Sequence, residues 1–336
     1  MTWSIGEEVD PREAYGEALV RLGRMDPRIV VLEADLMKAS GSVLFKTEFP
    51  DRHFNVGIAE QNLVGVAAGL AAMGKIPFAS AFAGFISQRA CDQDVNAVCY
   101  NNLGVKLVGT YGGLTQEKNG GMHIGVEDLA IFRCMPNMTV VVPCDCVELQ
   151  SAMEAIARHA GPVYLRIARG PLKTVMSEGY RFEIGKAVVL GDGTDVTLIT
   201  TGITTWEGKV ARETLAARGV RARHIHMPTV KPIDRAEVVR AARETGAIVT
   251  VENHSCLGGL GSAVTEIACD ECPVPVTRVG IEDRFGQTAT LDWLLREYGI
   301  TSEHVVKAVE AILPRKRDIG PPAHPVRVDS VAGGSR

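Results

Sequence analysis

Short β-rich runs separated by helical stretches recur along almost the whole chain. Few folds other than a parallel sheet covered by helices accommodate that rhythm. In the first half the extended runs are Ile29–Leu32, Phe54–Ile58, Pro77–Phe82, Val105–Gly109, Thr139–Val142 and Val163–Ile167. Helical patterns lie between them, near residues 12–23, 61–73, 85–102, 126–134 and 145–159. The rhythm breaks at Gly170-Pro171 and then resumes. Strands follow near 195–201, 221–226, 247–252 and 275–281, with helices near 205–218, 234–244, 259–270, 289–298 and 302–312. At 336 residues the chain is too long for one ordinary core. The sequence therefore predicts an α/β protein of two doubly wound domains. Residues 1–170 form the first, 171–190 a linker with a short extended piece, and 191–313 a smaller second domain. From residue 314 to 336 the chain is Pro, Gly and charge, a tail expected to be disordered.

Composition narrows the function classes. Hydrophobic residues make up 46% and charged residues 23%, as in soluble globular proteins. A net charge of −4 argues against a nucleic-acid or anionic-membrane surface. There is no apolar run long enough to span a bilayer, and the start lacks the basic flank of a signal peptide, so a cytoplasmic location is expected. Eight cysteines fit that compartment as free thiols. The pairs Cys144-Asp145-Cys146 and Cys269-Asp270-Glu271-Cys272 fall in different predicted domains without matching His spacing, so no metal site is expected. In His224-Ile225-His226 both rings face one side of a strand, which two outward polar residues explain.

The chemistry is concentrated at one junction. Arg52-His53-Phe54-Asn55-Val56-Gly57-Ile58-Ala59-Glu60-Gln61-Asn62 is extended and ends in a glycine and an acid. It opens onto a helix of small and apolar residues reaching Gly74. A carboxylate there is partly stripped of water, which suits it to share a proton. An acid in a helix's first turn also complements the helix dipole, and that alone would account for a glutamate. A second signal follows in Pro77–Gln93, where three Phe fall within eight positions although aromatics are only 5% of the chain. Phe82 and Phe85 sit at i and i+3 where a strand passes into a helix, so they share a face. Core packing explains such a pair; so does a flat heteroaromatic ligand, with the acid meeting its polar edge.

These two segments resemble the pyrimidine-binding domain of transketolase-type thiamine diphosphate enzymes. In that family a Val-Gly-Ile-Ala-Glu-Gln-Asn run carries the activating glutamate and a Phe-x-x-Phe segment holds the aminopyrimidine ring. The likeness continues through Gly112-Gly113-Leu114, Asn119-Gly120-Gly121-Met122-His123, Pro136-Asn137-Met138 and Gly161–Arg166. Asp195–Gly202, Lys231-Pro232-Ile233-Asp234 and Gly258–Ser262 resemble the family's C-terminal domain. The resemblance implies a pyrimidine-binding domain followed by a smaller transketolase C-terminal domain.

It also implies roles. Glu60 would hydrogen-bond the cofactor's pyrimidine nitrogen and so promote loss of the thiazolium proton; the protein supplies orientation and electrostatics. Phe82 and Phe85 would hold the ring, with Gln88 where an aromatic of larger enzymes packs. Asp35, Leu36 and Ile58 would line the thiazolium side. His123 matches a histidine that reaches substrate oxygens. Arg169 and Arg12 match positions that contact substrate phosphate, a task suited to the planar donor fork of Arg. A phosphate-contacting histidine of larger enzymes falls on Tyr111. Asn119, Met122 and Ile124 replace residues of an Asp-Gly-x-Thr-His-Gln motif. These departures surround the substrate, and the identity of the sugar is what they leave open.

The family's diphosphate site carries Gly-Asp-Gly followed downstream by Asn-Asn. Here Gly191-Asp192-Gly193 precedes a strand, and the pair Asn101-Asn102 lies upstream, so the match reads as a turn. The resemblance thus implies the C-terminal subunit of a split transketolase. An N-terminal diphosphate-binding partner would hold the divalent ion, Mg2+ or similar, and two copies of each chain would form a heterotetramer. The competing readings are the β subunit of a 2-oxo acid dehydrogenase and a deoxyxylulose-phosphate synthase-like enzyme, which Gln88-Arg89-Ala90-Cys91-Asp92-Gln93 echoes. A non-enzymatic scaffolding remnant would not need Glu60, Phe82, Phe85 and His123 together.

Overall fold

In the computed structural model, which describes residues 3–316, the strands of the first domain align by parallel pairing of buried apolar runs. Seven strands lie in the order Thr229–Lys231, Thr139–Val141, Val163–Ile167, Lys106–Thr110, Ile76–Phe82, Ile29–Glu33, His53–Asn55. Strands buried on both faces read as continuous apolar runs, and Ile29–Glu33 and Val163–Ile167 are buried throughout. One face is covered by the helices Glu60–Ala72, Ala83–Gln88 and Asp128–Cys134, the other by Pro11–Met25, Val43–Glu48 and Cys146–Arg158. The sheet is doubly wound, and the register pairs Glu33 with Asn55 and Ser80, and Phe82 with Thr110. The carboxyl ends of the central strands therefore end at one edge, where ligands bind in open α/β sheets.

The second sheet has the order Val276–Ile281, Ile248–Ser255, Val196–Thr200, Ala222–His226, Val188–Gly191 and is also covered on both faces. Only its Val188–Gly191 edge is antiparallel. Among the described residues no helix is long and apolar enough to cross a membrane.

Several expectations change. Where one helix is predicted over 85–102, the chain forms Ala83–Gln88, a short α-helical piece at Cys91–Gln93 and a wider π-type stretch, Asp94–Cys99. The strand predicted over Phe54–Ile58 is only His53–Asn55, because Gly57 takes φ +78° and turns the chain toward the next helix. The linker expected over 171–190 contains Leu172–Lys173, paired with Glu8–Val9, and ends in Val188–Gly191 of the second sheet. Thr229–Lys231 crosses back to pair antiparallel with Thr139–Val141 of the first sheet. Of the tail expected from 314, Pro314 and Arg315 continue the last helix as a 3-10 turn, and the Lys316 ammonium donates to the Thr194 carbonyl. Residues 317–336 lie outside the described residues. His224 and His226 do not face solvent. A strand inside a doubly covered sheet buries both sides, so His224 meets Thr200 Oγ1 at 2.9 Å and burial pulls its pKa down to about 3. His226 spans the domains, with Nε2 2.7 Å from Glu148 Oε2 and Nδ1 2.8 Å from Thr205 Oγ1. Cys144 joins the same cluster, but the Glu148 oxygens are occupied by the Tyr180 hydroxyl, the Cys144 amide and His226.

One core group is out of place by ordinary packing rules. Asp94 is fully buried, neither carboxyl oxygen has a hydrogen-bond partner, and burial raises its pKa well above the usual carboxylate range. The folded chain therefore binds this proton more tightly than the unfolded chain. The penalty is small below the ordinary aspartate range and grows as pH rises above it. Asp94→Val should stabilise the isolated chain at neutral pH by about 1–3 kcal/mol, with the gap narrowing toward pH ~4. Urea denaturation at the two pH values measures this, and a gap that widens on acidification would contradict the assignment.

Candidate active site

A cleft of about 750 Å³ opens at the carboxyl edge of the first sheet. The turn after Ile29–Glu33 brings Asp35 and Leu36, the loop into the next helix brings Ile58 and Glu60, and the end of Ile76–Phe82 brings Phe82, Phe85 and Gln88. His123 and Met122 close the side. Asn55 joins the first two segments: its Oδ1 accepts from the Asp35 and Gly57 amides, and its Nδ2 donates to Asp35 Oδ1, each at 3.0 Å. Asp35 takes φ +63°, so this tie holds a conformation uncommon for a residue with a side chain.

Glu60 begins the Glu60–Ala72 helix and is 1% exposed. Its Oε2 accepts from Arg89 Nη1 at 2.8 Å. Among the described residues no group donates to Oε1, and the residue lines the cleft. The floor beside it is aromatic. Phe82 and Phe85 have centroids 5.6 Å apart, and the His123 ring is 5.2 Å from Phe85. A planar ring with a hydrogen-bonding edge matches this combination of apolar surface and open carboxylate oxygen. Gln88 points elsewhere, with its amide donating to Glu127.

Four of the predicted residues gather beside the cleft rather than on its lining. The Tyr111 ring stacks on Phe82 at 5.0 Å, and the Arg169 guanidinium lies 5.1 Å from the Tyr111 centroid. Arg169 Nη1 donates to the Gln116 carbonyl at 3.1 Å, and Asn119 donates to Gln116 Oε1 at 2.9 Å. Arg12 pairs with Asp10, whose hydrogen bond is the main reason its pKa is raised; Tyr111 contributes less. The structure thus joins all twelve predicted residues into two adjoining groups, linked by the Phe82–Tyr111 stack.

The loop carrying these residues is anchored by a buried ion pair. Arg166 meets Asp128 through Nε at 2.7 Å and Nη2 at 2.9 Å, and Tyr164 donates to the same carboxylate at 2.6 Å. Arg166 Nη1 also donates to the carbonyl of Asn253 in the second domain at 2.9 Å. Asn253 Oδ1 in turn accepts from the Leu114 amide at 3.0 Å. Gly113, at φ +61°, lies against Asn253 so closely that a Cβ would come within 2.4 Å of its carbonyl oxygen.

One site group escaped the sequence reading. Arg89 lies four residues after Phe85, on the helical face already singled out for its aromatics, so its spacing could have signalled it. Glu33 precedes the cleft-lining Ala34 in the chain but is not itself on the lining. It is buried at the end of its strand, Ser40 Oγ donates to Oε1 at 2.6 Å, Oε2 has no partner, and burial raises its pKa to about 7.

Comparison with known proteins finds two family matches along the chain. Residues 7–174 match the family described as transketolase, pyrimidine binding domain, and residues 185–305 match transketolase, C-terminal domain. The chain is 46% identical over 305 residues to 6-deoxy-6-sulfo-D-fructose transketolase subunit SqwH of Clostridium sp. (strain MSTE9), covering 91% of this chain and 95% of that protein. It is 36% identical over 300 residues to an apulose-4-phosphate transketolase subunit of Phocaeicola vulgatus, covering 88% and 95% respectively. A solved structure titled split gene transketolase, inactive beta4 tetramer, superposes with a TM-score of 0.87 at 48% identity, covering 92% of this chain and all of that one.

Removing the Asp128 charge leaves a buried guanidinium unmatched. Asp128→Asn should cost about 3–5 kcal/mol of folding stability, read from denaturant unfolding of the isolated chain. A loss under about 1 kcal/mol would show that the pair does not anchor the loop.

Proposed function

The chain belongs to the transketolase family, and we propose that it is the C-terminal subunit of a split transketolase that moves a two-carbon ketol unit between phosphorylated or similarly anionic sugars. The observation that carries this reading is the Glu60 carboxylate, withdrawn from water beside Phe82 and Phe85 with one oxygen open to the cleft. Thiamine diphosphate fits that donor and surface set. When bound, it supplies the nucleophilic carbon that takes up the ketol unit.

This chain's residues have separable tasks. Glu60 holds the pyrimidine nitrogen through its free oxygen, and Phe82 and Phe85 seat the ring. Asp35, Leu36 and Ile58 border the thiazolium side, with Gln88 at the margin. His123 donates to, or takes a proton from, substrate oxygens. Tyr111, Arg169, Arg12 and Asn119 receive the far end of the sugar. One relative's name carries a sulfonated fructose and another's a phosphorylated sugar. Both end in a tetrahedral anion, for which guanidinium groups are suited.

The diphosphate and a divalent ion such as Mg2+ fall to a partner chain. Supporting this, Ile58, Met122 and Phe285 are 76%, 92% and 84% exposed, an apolar set with Ile58 and Met122 on the cleft itself. Beyond Gln61 and Asn62 the outward face of the Glu60–Ala72 helix is small and apolar, and a Cβ at Gly65 or Gly69 would meet open space, which suits close approach of a second copy. Two copies of each chain in a cytoplasmic heterotetramer is the assembly proposed.

Two outcomes are expected. The isolated chain should give no ketol transfer and little thiamine diphosphate binding until the partner is added; steady turnover without any second polypeptide would refute the split assignment. In the reconstituted complex, Glu60→Gln should slow deuterium exchange at the thiazolium carbon by orders of magnitude while cofactor binding weakens only modestly. Equal exchange in wild type and variant would remove Glu60 from the mechanism.

A further inference from the structure

Glu60 is held by a single cation, and the placement of that cation determines which carboxylate oxygen faces the cleft. Among the described residues the only ion-pair partner of Glu60 is Arg89, through Nη1 on Oε2 at 2.8 Å. The pair is asymmetric, since the acid's side chain is 1% exposed and the arginine's 51%. A carboxylate withdrawn this far from water needs a matched donor, whereas the arginine would be at ease in solvent. Its guanidinium is not free to drift: the Arg89 Cζ lies 4.9 Å from the centroid of Phe85, four residues earlier on the same helical turn. Arg89 also lines the cleft.

We propose that Arg89 is a positioning residue for Glu60, and the proposal rests on the reading of Glu60 as the acid that meets the pyrimidine ring. By occupying Oε2 and leaning on Phe85, Arg89 fixes the carboxylate's rotation about its last bond and leaves Oε1 as the one oxygen presented to the cleft. It also supplies the counter-charge that an acceptor-only carboxylate needs in an apolar site. The same contact with Phe85 couples the acid to the aromatic floor, so the two halves of the ring site keep one relative placement. A lysine could supply the charge but not the planar fork or the ring contact.

The test uses the full chain reconstituted with its diphosphate-binding partner, thiamine diphosphate and Mg2+. R89M, R89K, E60Q and R89M/E60Q are compared by deuterium exchange at the thiazolium carbon, by calorimetric titration with thiamine diphosphate, by kcat and KM, and by thermal melting. R89M should slow exchange about 10–100-fold, the range for removing a group that orients a functional ligand. It should lower kcat and, because Glu60 loses its matched donor, the melting temperature, while leaving the ketose KM near wild type. R89K should recover part of the loss. In the E60Q background, R89M should add nothing, because Arg89 acts through the carboxylate. Unchanged exchange in R89M, or an equal loss with and without Glu60, overturns the proposal. Faster exchange or tighter cofactor binding in R89M also overturns it, and would make the guanidinium a competitor of the ring. If E60Q itself exchanges like wild type, the functional reading fails; if E60Q collapses and R89M does not, only the role of Arg89 fails.

Discussion

A guanidinium sealed from water, Arg166, sets the geometry of this protein. Its charge is tolerable only because Asp128 meets it with both oxygens, and its Nη1 donates to a carbonyl of the second domain. That arrangement fixes four pieces of chain at once: the strand Val163–Ile167, the helix Asp128–Cys134, the loop from Gly112 and the strand Ile248–Ser255. The loop from Tyr111 to His123 forms the outer side of the cleft, and its position follows from this pair and from the Gln116 contacts that knit it.

The buried acids show how partner choice separates structure from chemistry. Glu252 is fully buried and accepts from the Leu260 and Gly261 amides at the start of a helix, although burial still raises its pKa to about 7. Each of its oxygens has a backbone partner, and it is buried away from the cleft. Glu148 is likewise surrounded, by His226, Tyr180 and the Cys144 amide. Asp94 has no partner on either oxygen and is sealed from water. Glu60 differs from all of them in having one oxygen matched by Arg89 and one left toward a cleft with an aromatic floor. That half-satisfied state is what a binding group requires.

The second domain contributes by holding the first rather than by lining the cleft. His226 reaches Glu148, Asn253 reaches Leu114, and Thr229–Lys231 adds an antiparallel edge to the first sheet. The two domains are therefore interleaved by hydrogen bonds and a shared sheet, and the boundary between them is not a single point in the chain.

The elements near the site were legible because their signals are local. Period-two and helical patterns depend on neighbouring residues, so the strand Ile76–Phe82, the helix opening at Glu60 and the spacing of Phe82 and Phe85 are all present in the sequence. Gly57 ahead of the acid falls inside the predicted strand, although its positive φ makes it the turn. What the sequence left undecided depends on residues far apart. Arg89 meeting Glu60, Arg166 meeting Asp128 and Thr229–Lys231 joining Thr139–Val141 each join segments 29 or more positions apart. The same limit applies to His224 and His226. An alternating polar pattern reads as an outward strand face, and only the helix laid across that face buries them. Sequence alone determined the backbone of the long, periodic segments and which of their residues share a face; the order of strands in the sheet decided which of those faces meet, because register and crossover bring together groups that no local period relates.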